Sequence, residues 1–253
     1  MSIRVGRIKY VKGHQRELPA REGYTPIVCL TAASPYGSLS PYELRDEKGR
    51  CIENLWQFAK IYETVPEIKR VQSRIDATVV WQYPAEQHVL NEQILPTYWT
   101  WRKKGMETIP PIRYPVGYDN ARRGSCLGAL WHHERDPTEP FPATINDALG
   151  YIAARKAIYV PLYEKLVRDC NQFKELVARR KTGENLLILE VDGPHEESMP
   201  YYKERYQVPD DFIVGDTIAA NDANLDILLN DEKHPYGHGY CLAKALLQAD
   251  RNQ

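Results

Sequence analysis

The sequence predicts an α+β protein, mainly helical, in which a single domain spanning residues 1–253 carries a small β-sheet. Three observations lead there. The run Leu186-Leu-Ile-Leu-Glu-Val191 is apolar and long enough to be a central strand, and Ile27–Thr31 and Thr78–Tyr83 are further strand candidates. Apolar residues otherwise recur at helical spacing, over 52–64, 148–170 and 240–249 among others. A chain of 253 residues is also long enough to bury a sizeable core.

In chain order, residues 1–25 are polar and carry Gly13, Pro19 and Gly23, which suits an edge hairpin or an irregular arm. Ile27–Thr31 follows as a short buried strand, and Ser34–Pro41 as a loop set by two prolines and a glycine. A helix starts near Ile52 and runs to Thr64 or Val65, where Pro66 stops it and opens another over 67–77. Thr78–Tyr83 alternates like a strand, and 86–106 returns to helical spacing with an interruption at Pro96. Trp99 and Trp101 cannot share one face of that helix, so one is expected in the core and the other at a cleft or interface. From about 107 to 143 the pattern gives way to an irregular Pro-rich connection, in which Arg113, Arg122 and Arg123 are candidate phosphate ligands or plain solvated arginines.

Thr144-Ile-Asn-Asp147 resembles a capping box and is expected to open a long helix over 148–170, kinked at Pro161. A helix over 172–181 is ended by Gly183, and the Leu186–Val191 strand runs into Asp192-Gly-Pro-His195. That motif fits either a plain turn or a carboxylate and histidine placed for chemistry at a strand end. Phe212–Gly215 is a further strand or an extended approach, 221–229 a helix capped by Asn221 or Asp222, and 240–249 the last helix.

Composition narrows the function classes. Lys plus Arg number 33 against 34 Asp plus Glu, so no overall basic field recruits nucleic acid. The five cysteines are scattered without Cys-x-x-Cys spacing, which argues against a disulfide framework or a structural zinc and fits a cytoplasmic protein. No run of eighteen apolar residues occurs, and the first residues lack an apolar leader core, so no membrane partner is expected. His132-His133-Glu134 and the pair His234 and His238, interrupted by Pro235 and Gly237, lack metal-ligand spacing; neither a metal nor another cofactor is expected.

The stretch Glu53 to Lys60 concentrates polar chemistry. On one helix Glu53, Gln57 and Lys60 fall within a single stripe, with Trp56 beside them, which suits a polar ligand gripped against an aromatic wall. The same residues also describe an ordinary solvated helix face. Downstream, Gly237 and Gly239 precede the last helix, an arrangement that serves as a turn or that aims helix N–H groups at an anion such as a phosphate.

Together these two patches resemble the NADAR family, associated with NAD and ADP-ribose metabolism. Ser38-Leu-Ser-Pro-Tyr42, Gly49 and Glu53-x-x-Trp56-Gln57-x-x-Lys60 stand where that family has Leu-Ser-Asn-Phe-Tyr, a glycine and Glu-His-x-Tyr-Gln-x-x-Lys. Asp231, Tyr236-Gly-His-Gly239 and the helix after them stand where it has an acidic residue, Trp-Gly-x-Gly and a helix. The likeness covers roughly 34–62 and 217–247; Asn54 replaces the usual His and Tyr236 the usual Trp, the pattern of a divergent member.

The resemblance implies a NADAR-like fold and an N-glycosidase that hydrolyses the ribose C1–N bond of an ADP-ribosylated guanine or another ribosylated nucleobase, free or in nucleic acid. It implies Glu53, Lys60 and Asp231 as catalytic residues: Glu53 as general acid or base, Asp231 beside the developing oxocarbenium charge, Lys60 as a positioning cation. Ser38, Tyr42, Trp56, Gln57, Tyr236, Gly237 and Gly239 would contact substrate. Two alternatives stand beside it: a non-catalytic ADP-ribose-binding module, and an unrelated nucleotide-modifying enzyme using Asp192 and His195.

Overall fold

The computed structural model describes residues 1–10, 16–68, 81–117 and 125–251. Helix predominates over strand, and the strands gather in small sheets, so the protein is α+β. No helix among the described residues is long and apolar enough to cross a membrane. The chain divides into two compact units: Met1–Leu44 with Val160–Gln253, and Arg45–Tyr159.

The first unit is built on a four-stranded sheet in the order Thr217–Ala219, Ile3–Arg7, Leu186–Glu190, Thr25–Val28. Val5 is opposite Ile188 and Ile188 opposite Ile27 in parallel pairings, while Thr217–Ala219 runs antiparallel to Ile3–Arg7. Leu186–Glu190 is central, as its apolar run foretells, and all five of its residues are buried. Side chains alternate across it: Leu187 and Leu189 pack with Ile8 and, around them, Tyr24, Val28, Leu30 and Val191, while Ile188 and Glu190 face Gly239 at the start of the helix His238–Arg251.

Residues 1–25 depart from expectation. Ile3–Arg7 is an internal strand, and beyond it the short Lys9–Tyr10 pairs antiparallel with Arg16–Glu17. Arg4 hides the strand in the sequence, because it reads as solvated. In the fold it is buried, and its guanidinium donates from Nε to Thr217 Oγ1 (2.8 Å) and from Nη2 to the Thr217 carbonyl (2.9 Å). Phe212–Gly215 is likewise no strand; Val214 makes a single bridge to Thr217, and the strand is Thr217–Ala219. The helices Asn171–Lys181, Asp222–Leu229 and His238–Arg251 form close to their expected bounds. Asn221 caps the second of them, its Oδ1 accepting from the Asn224 N–H at 2.9 Å, and Gly183 closes the first at φ +97°.

In the second unit the helix that begins at Ile52 ends at Gln57, not at Thr64. Lys60–Tyr62 is a strand paired antiparallel to Cys126–Ala129, and Thr64–Val65 pairs with Glu86–Gln87. Ile61, Tyr62, Thr64 and Val65 are β-branched or aromatic, and this preference prevails over a helical reading of the apolar spacing. Ile68 bridges Tyr83; the remainder of the expected 67–77 helix, residues 78–80 of the next expected strand, and Arg122 and Arg123 lie outside the described residues. Residues 86–95 are not helical either: Val89–Leu90 and Gln93–Ile94 form a hairpin that turns on Asn91 (φ 47°) and Glu92 (φ 65°). Helix resumes over Pro96–Met106 with Pro96 in its first turn.

Trp101 is the core tryptophan, its ring centroid 4.6 Å from Phe58 and 5.0 Å from His88, whereas Trp99 is half-buried against Phe141. Buried polar side chains tie down the described parts of the Pro-rich connection. Asn54 Nδ2 donates to the carbonyls of Thr108 (2.7 Å) and Pro110 (3.0 Å), and its Oδ1 accepts from the Ile112 N–H (2.7 Å). Arg102 donates to the carbonyls of Pro137 and Leu130. Prolines cannot supply N–H groups to a ladder, so side chains satisfy the carbonyls. The Thr144–Asp147 capping box forms, but it opens only a 3₁₀ turn over Ile145–Asp147, and Leu149 then pairs with Ala129. The chain becomes helical at Tyr151–Ala154, takes a π turn over Arg155–Tyr159, and continues as helix over Val160–Val167. The π turn falls just ahead of Pro161 in the chain.

Candidate functional site

In the second unit Cys51 leads into the helix with extended dihedrals, and the first turn brings Glu53 inward to 6 % exposure. One turn on, Gln57 donates from Nε2 to Glu53 Oε1 at 2.9 Å and accepts on Oε1 from Lys60 Nζ at 2.7 Å. The polarity is fixed by chemistry: a carboxylate only accepts and an ammonium only donates, so the amide between them has one possible orientation. Lys60 Nζ also lies 5.0 Å from the centroid of the Trp56 ring, which in turn packs 5.3 Å from Tyr159. The expected Glu53, Trp56, Gln57 and Lys60 group is therefore assembled, by a short helix followed by a strand instead of by one helix.

In the first unit Ser38 sits on the 3₁₀ turn Gly37–Leu39, its hydroxyl bonded to Gln172 Oε1 and 3.1 Å from Cys170 Sγ. Tyr42 is half-buried, its N–H donating to Ser40 Oγ. Tyr236 is 5 % exposed, with its ring 5.3 Å from Tyr240. Gly237 and Gly239 lie against Glu190: a methyl at Gly237 would overlap the carboxylate, and one at Gly239 would come within 3.0 Å of Oε2. The anion at this helix terminus is thus the protein's own. Glu190 Oε2 accepts from the Gly239 N–H at 2.6 Å, and Oε1 from the N–H groups of Val191 (2.7 Å) and Asp192 (3.2 Å).

His238 completes this buried cluster, with Nδ1 3.3 Å from Glu190 Oε2 and Nε2 2.9 Å from the Cys29 carbonyl. Burial alone would lower the imidazolium's pKa; the Glu190 charge and the Cys29 groups overcome that and raise it to about 10. His195 Nδ1 is 3.5 Å from Asp216 Oδ1, and Gly193, which follows Asp192 in the chain, turns at φ +101°.

Asp231 is 1 % exposed. Its Oδ1 accepts from Tyr201 OH (2.7 Å) and the Lys233 N–H (2.9 Å), and its Oδ2 from Tyr202 OH and from His234 Nδ1 (2.7 Å). Burial opposes its ionisation, but these bonds outweigh burial and hold the carboxyl well below the usual carboxylate range. Sequence reasoning missed Glu190, His238 and His234 as site partners. The signals were present: Glu190 is the one charge in an otherwise apolar strand, and Asp231 and His234 are three residues apart.

No family model, curated protein or solved structure matches the chain.

Proposed function

We propose that the protein is an N-glycosidase of NADAR type, acting on the ribose C1–N bond of an ADP-ribosylated guanine or another ribosylated nucleobase. The observation that carries this reading is the hydrogen-bonded line Glu53–Gln57–Lys60 laid along Trp56. Cleavage of such a bond needs a proton on the departing nitrogen, electrostatic support for an oxocarbenium-like ribose and an oriented water. Glu53 in its acid form donates the proton, and as carboxylate it then draws the water's proton away as the water adds to C1. Gln57 fixes the Glu53 carboxylate and Lys60 together, and the Lys60 ammonium engages a phosphate or hydroxyl of the substrate. Trp56 supplies a flat apolar surface. Asp231 enters this reading through the resemblance alone. Cytoplasmic location belongs to the same reading and agrees with five free cysteines.

The test is to incubate the protein with ADP-ribosylated guanosine and with ADP-ribosylated DNA, beside Glu53→Gln, and to follow free ADP-ribose by chromatography. Release by the wild type and not by the variant supports the reading. A folded wild type that binds ADP-ribose without releasing it marks a binding module instead.

A further inference from the structure

We propose that Ser198, His234 and Asp231 form a nucleophile relay that cleaves carboxylic esters of aryl alcohols. His234 Nδ1 is 2.7 Å from Asp231 Oδ2, and His234 Nε2 is 3.1 Å from Ser198 Oγ. These distances and this order of groups are what an activated serine requires. Asp231 and His234 lie in the segment that follows the helix Asp222–Leu229, and Ser198 ends the Glu196–Ser198 turn that leads into the helix Met199–Tyr206. The tyrosines of the latter helix join the two segments: Tyr201 and Tyr202 donate to Asp231, and Tyr206 to the Asn230 carbonyl.

The direction of the relay follows from the carboxylate. Asp231 is held ionised by its donors and so only accepts, which puts the proton of a neutral His234 on Nδ1. Nε2 is then a lone pair, and the Ser198 hydroxyl donates to it. Ser198 stands at the helix start yet makes no side-chain capping bond, so its hydroxyl is engaged with His234 rather than with the backbone. The Tyr202 ring stacks on the imidazole at 5.4 Å and 22°, and Tyr201 meets it edge-on at 5.6 Å, which fixes the ring plane. Access is retained where the chemistry needs it: Asp231 is buried, the His234 side chain is 16 % exposed, and Ser198 and Tyr201 are half-buried. Tyr201, half-buried and edge-on to the imidazole, borders the relay with Lys233 Nζ over its ring at 4.5 Å, and this aromatic and cationic rim is where the aryl group would rest.

In the reaction Ser198 Oγ forms a bond to the ester carbonyl carbon as its proton passes to His234 Nε2. The tetrahedral adduct collapses by breaking the bond to the aryl oxygen, which leaves with that proton. Water then adds to the acyl-serine, again giving a proton to Nε2, and collapse returns the proton to Oγ and releases the carboxylic acid. Asp231 is a positioning residue that keeps the imidazole in the required tautomer.

Two measurements test this. The folded protein is treated with an alkyl fluorophosphonate and mapped by peptide mass, and hydrolysis of 4-nitrophenyl acetate is compared among wild type, Ser198→Ala, His234→Ala and Asp231→Asn. The expected result is one adduct, on Ser198, and a fall in turnover of at least 100-fold in Ser198→Ala and His234→Ala. Asp231→Asn, which favours the wrong tautomer, should lower kcat with KM unchanged. Absence of an adduct at Ser198 in wild type shown to be folded by circular dichroism overturns the proposal. So does a Ser198→Ala rate within twofold of wild type.

Discussion

His238 Nδ1 lies 3.3 Å from Glu190 Oε2 in the interior of the first unit, and the histidine is pushed up to about 10. A histidine whose folded pKa exceeds its unfolded value of about 6.5 binds its proton more tightly in the native state. Its contribution to stability is therefore complete below about pH 6.5 and is lost as pH rises through about 10. Urea melts should show falling stability across that window, and His238→Gln should flatten the slope. Buried Cys241, also raised, by burial first and then by Glu164 and Glu190, adds to the decline at the alkaline end.

Removing one partner of this pair strands the other. Glu190→Gln leaves His238 without its counter-charge and is expected to cost about 3–5 kcal/mol, read from the shift of the urea midpoint. Gly237→Ala pushes a methyl into the same carboxylate and should cost about 1–3 kcal/mol by overpacking.

At acid pH the second unit should respond through His88. Its side chain is fully buried, with the ring 5.0 Å from Trp101, and burial lowers its pKa to about 4. The unfolded chain takes up that proton first, so stability is complete above about pH 6.5 and declines as pH falls toward about 4. His88→Phe should remove this part of the acid slope in thermal melts. His195 in the first unit, lowered by burial and then by Arg7, adds its own acid decline in wild type and variant alike.

Gln57→Leu tests the polar line without touching its ends. The substitution removes the amide that receives Lys60 and donates to Glu53. If the ribose chemistry is right, release of ADP-ribose should fall about 10–100-fold, less than the 10²–10⁴-fold expected for Glu53→Gln, whose acid–base function is lost outright.

Asn54→Ala should destabilise the second unit by about 1–3 kcal/mol, because the carbonyls of Thr108 and Pro110 and the N–H of Ile112 lose their shared partner. Hydrogen exchange of the Ile112 amide is the direct readout, and it should quicken well before the rest of the unit.

Much of the first unit was legible, because its signals are local. Leu186–Glu190 is apolar throughout, Asn221 caps, Gly183 stops a helix, and each forms as its own chemistry directs. Ile3–Arg7 was not legible, since what makes a strand of it is pairing with residues about 180 positions away and a threonine that satisfies Arg4. Lys60–Tyr62 illustrates the same point in the second unit, where spacing suited a helix and pairing with Cys126–Ala129 decided otherwise. The Glu53–Gln57–Lys60 group survived that error because a helix turn and the strand after it bring the same three side chains within reach. The Asp231 network was hidden for the opposite reason: three of its donors come from Tyr201, Tyr202 and His234, and only the last is near it in sequence.

The sheet of the first unit cannot be completed until the chain has been made as far as Ala219, because Ile3–Arg7 and Thr25–Val28 are held together by Leu186–Glu190. Residues 45–159, all of the second unit, emerge in between. On the ribosome the inserted segment is therefore made first, while the opening strands wait for a partner made more than 150 residues later. An interval of synthesis during which Ile3, Val5 and Ile27 are uncovered makes the nascent chain, rather than the finished protein, the species most in need of a chaperone.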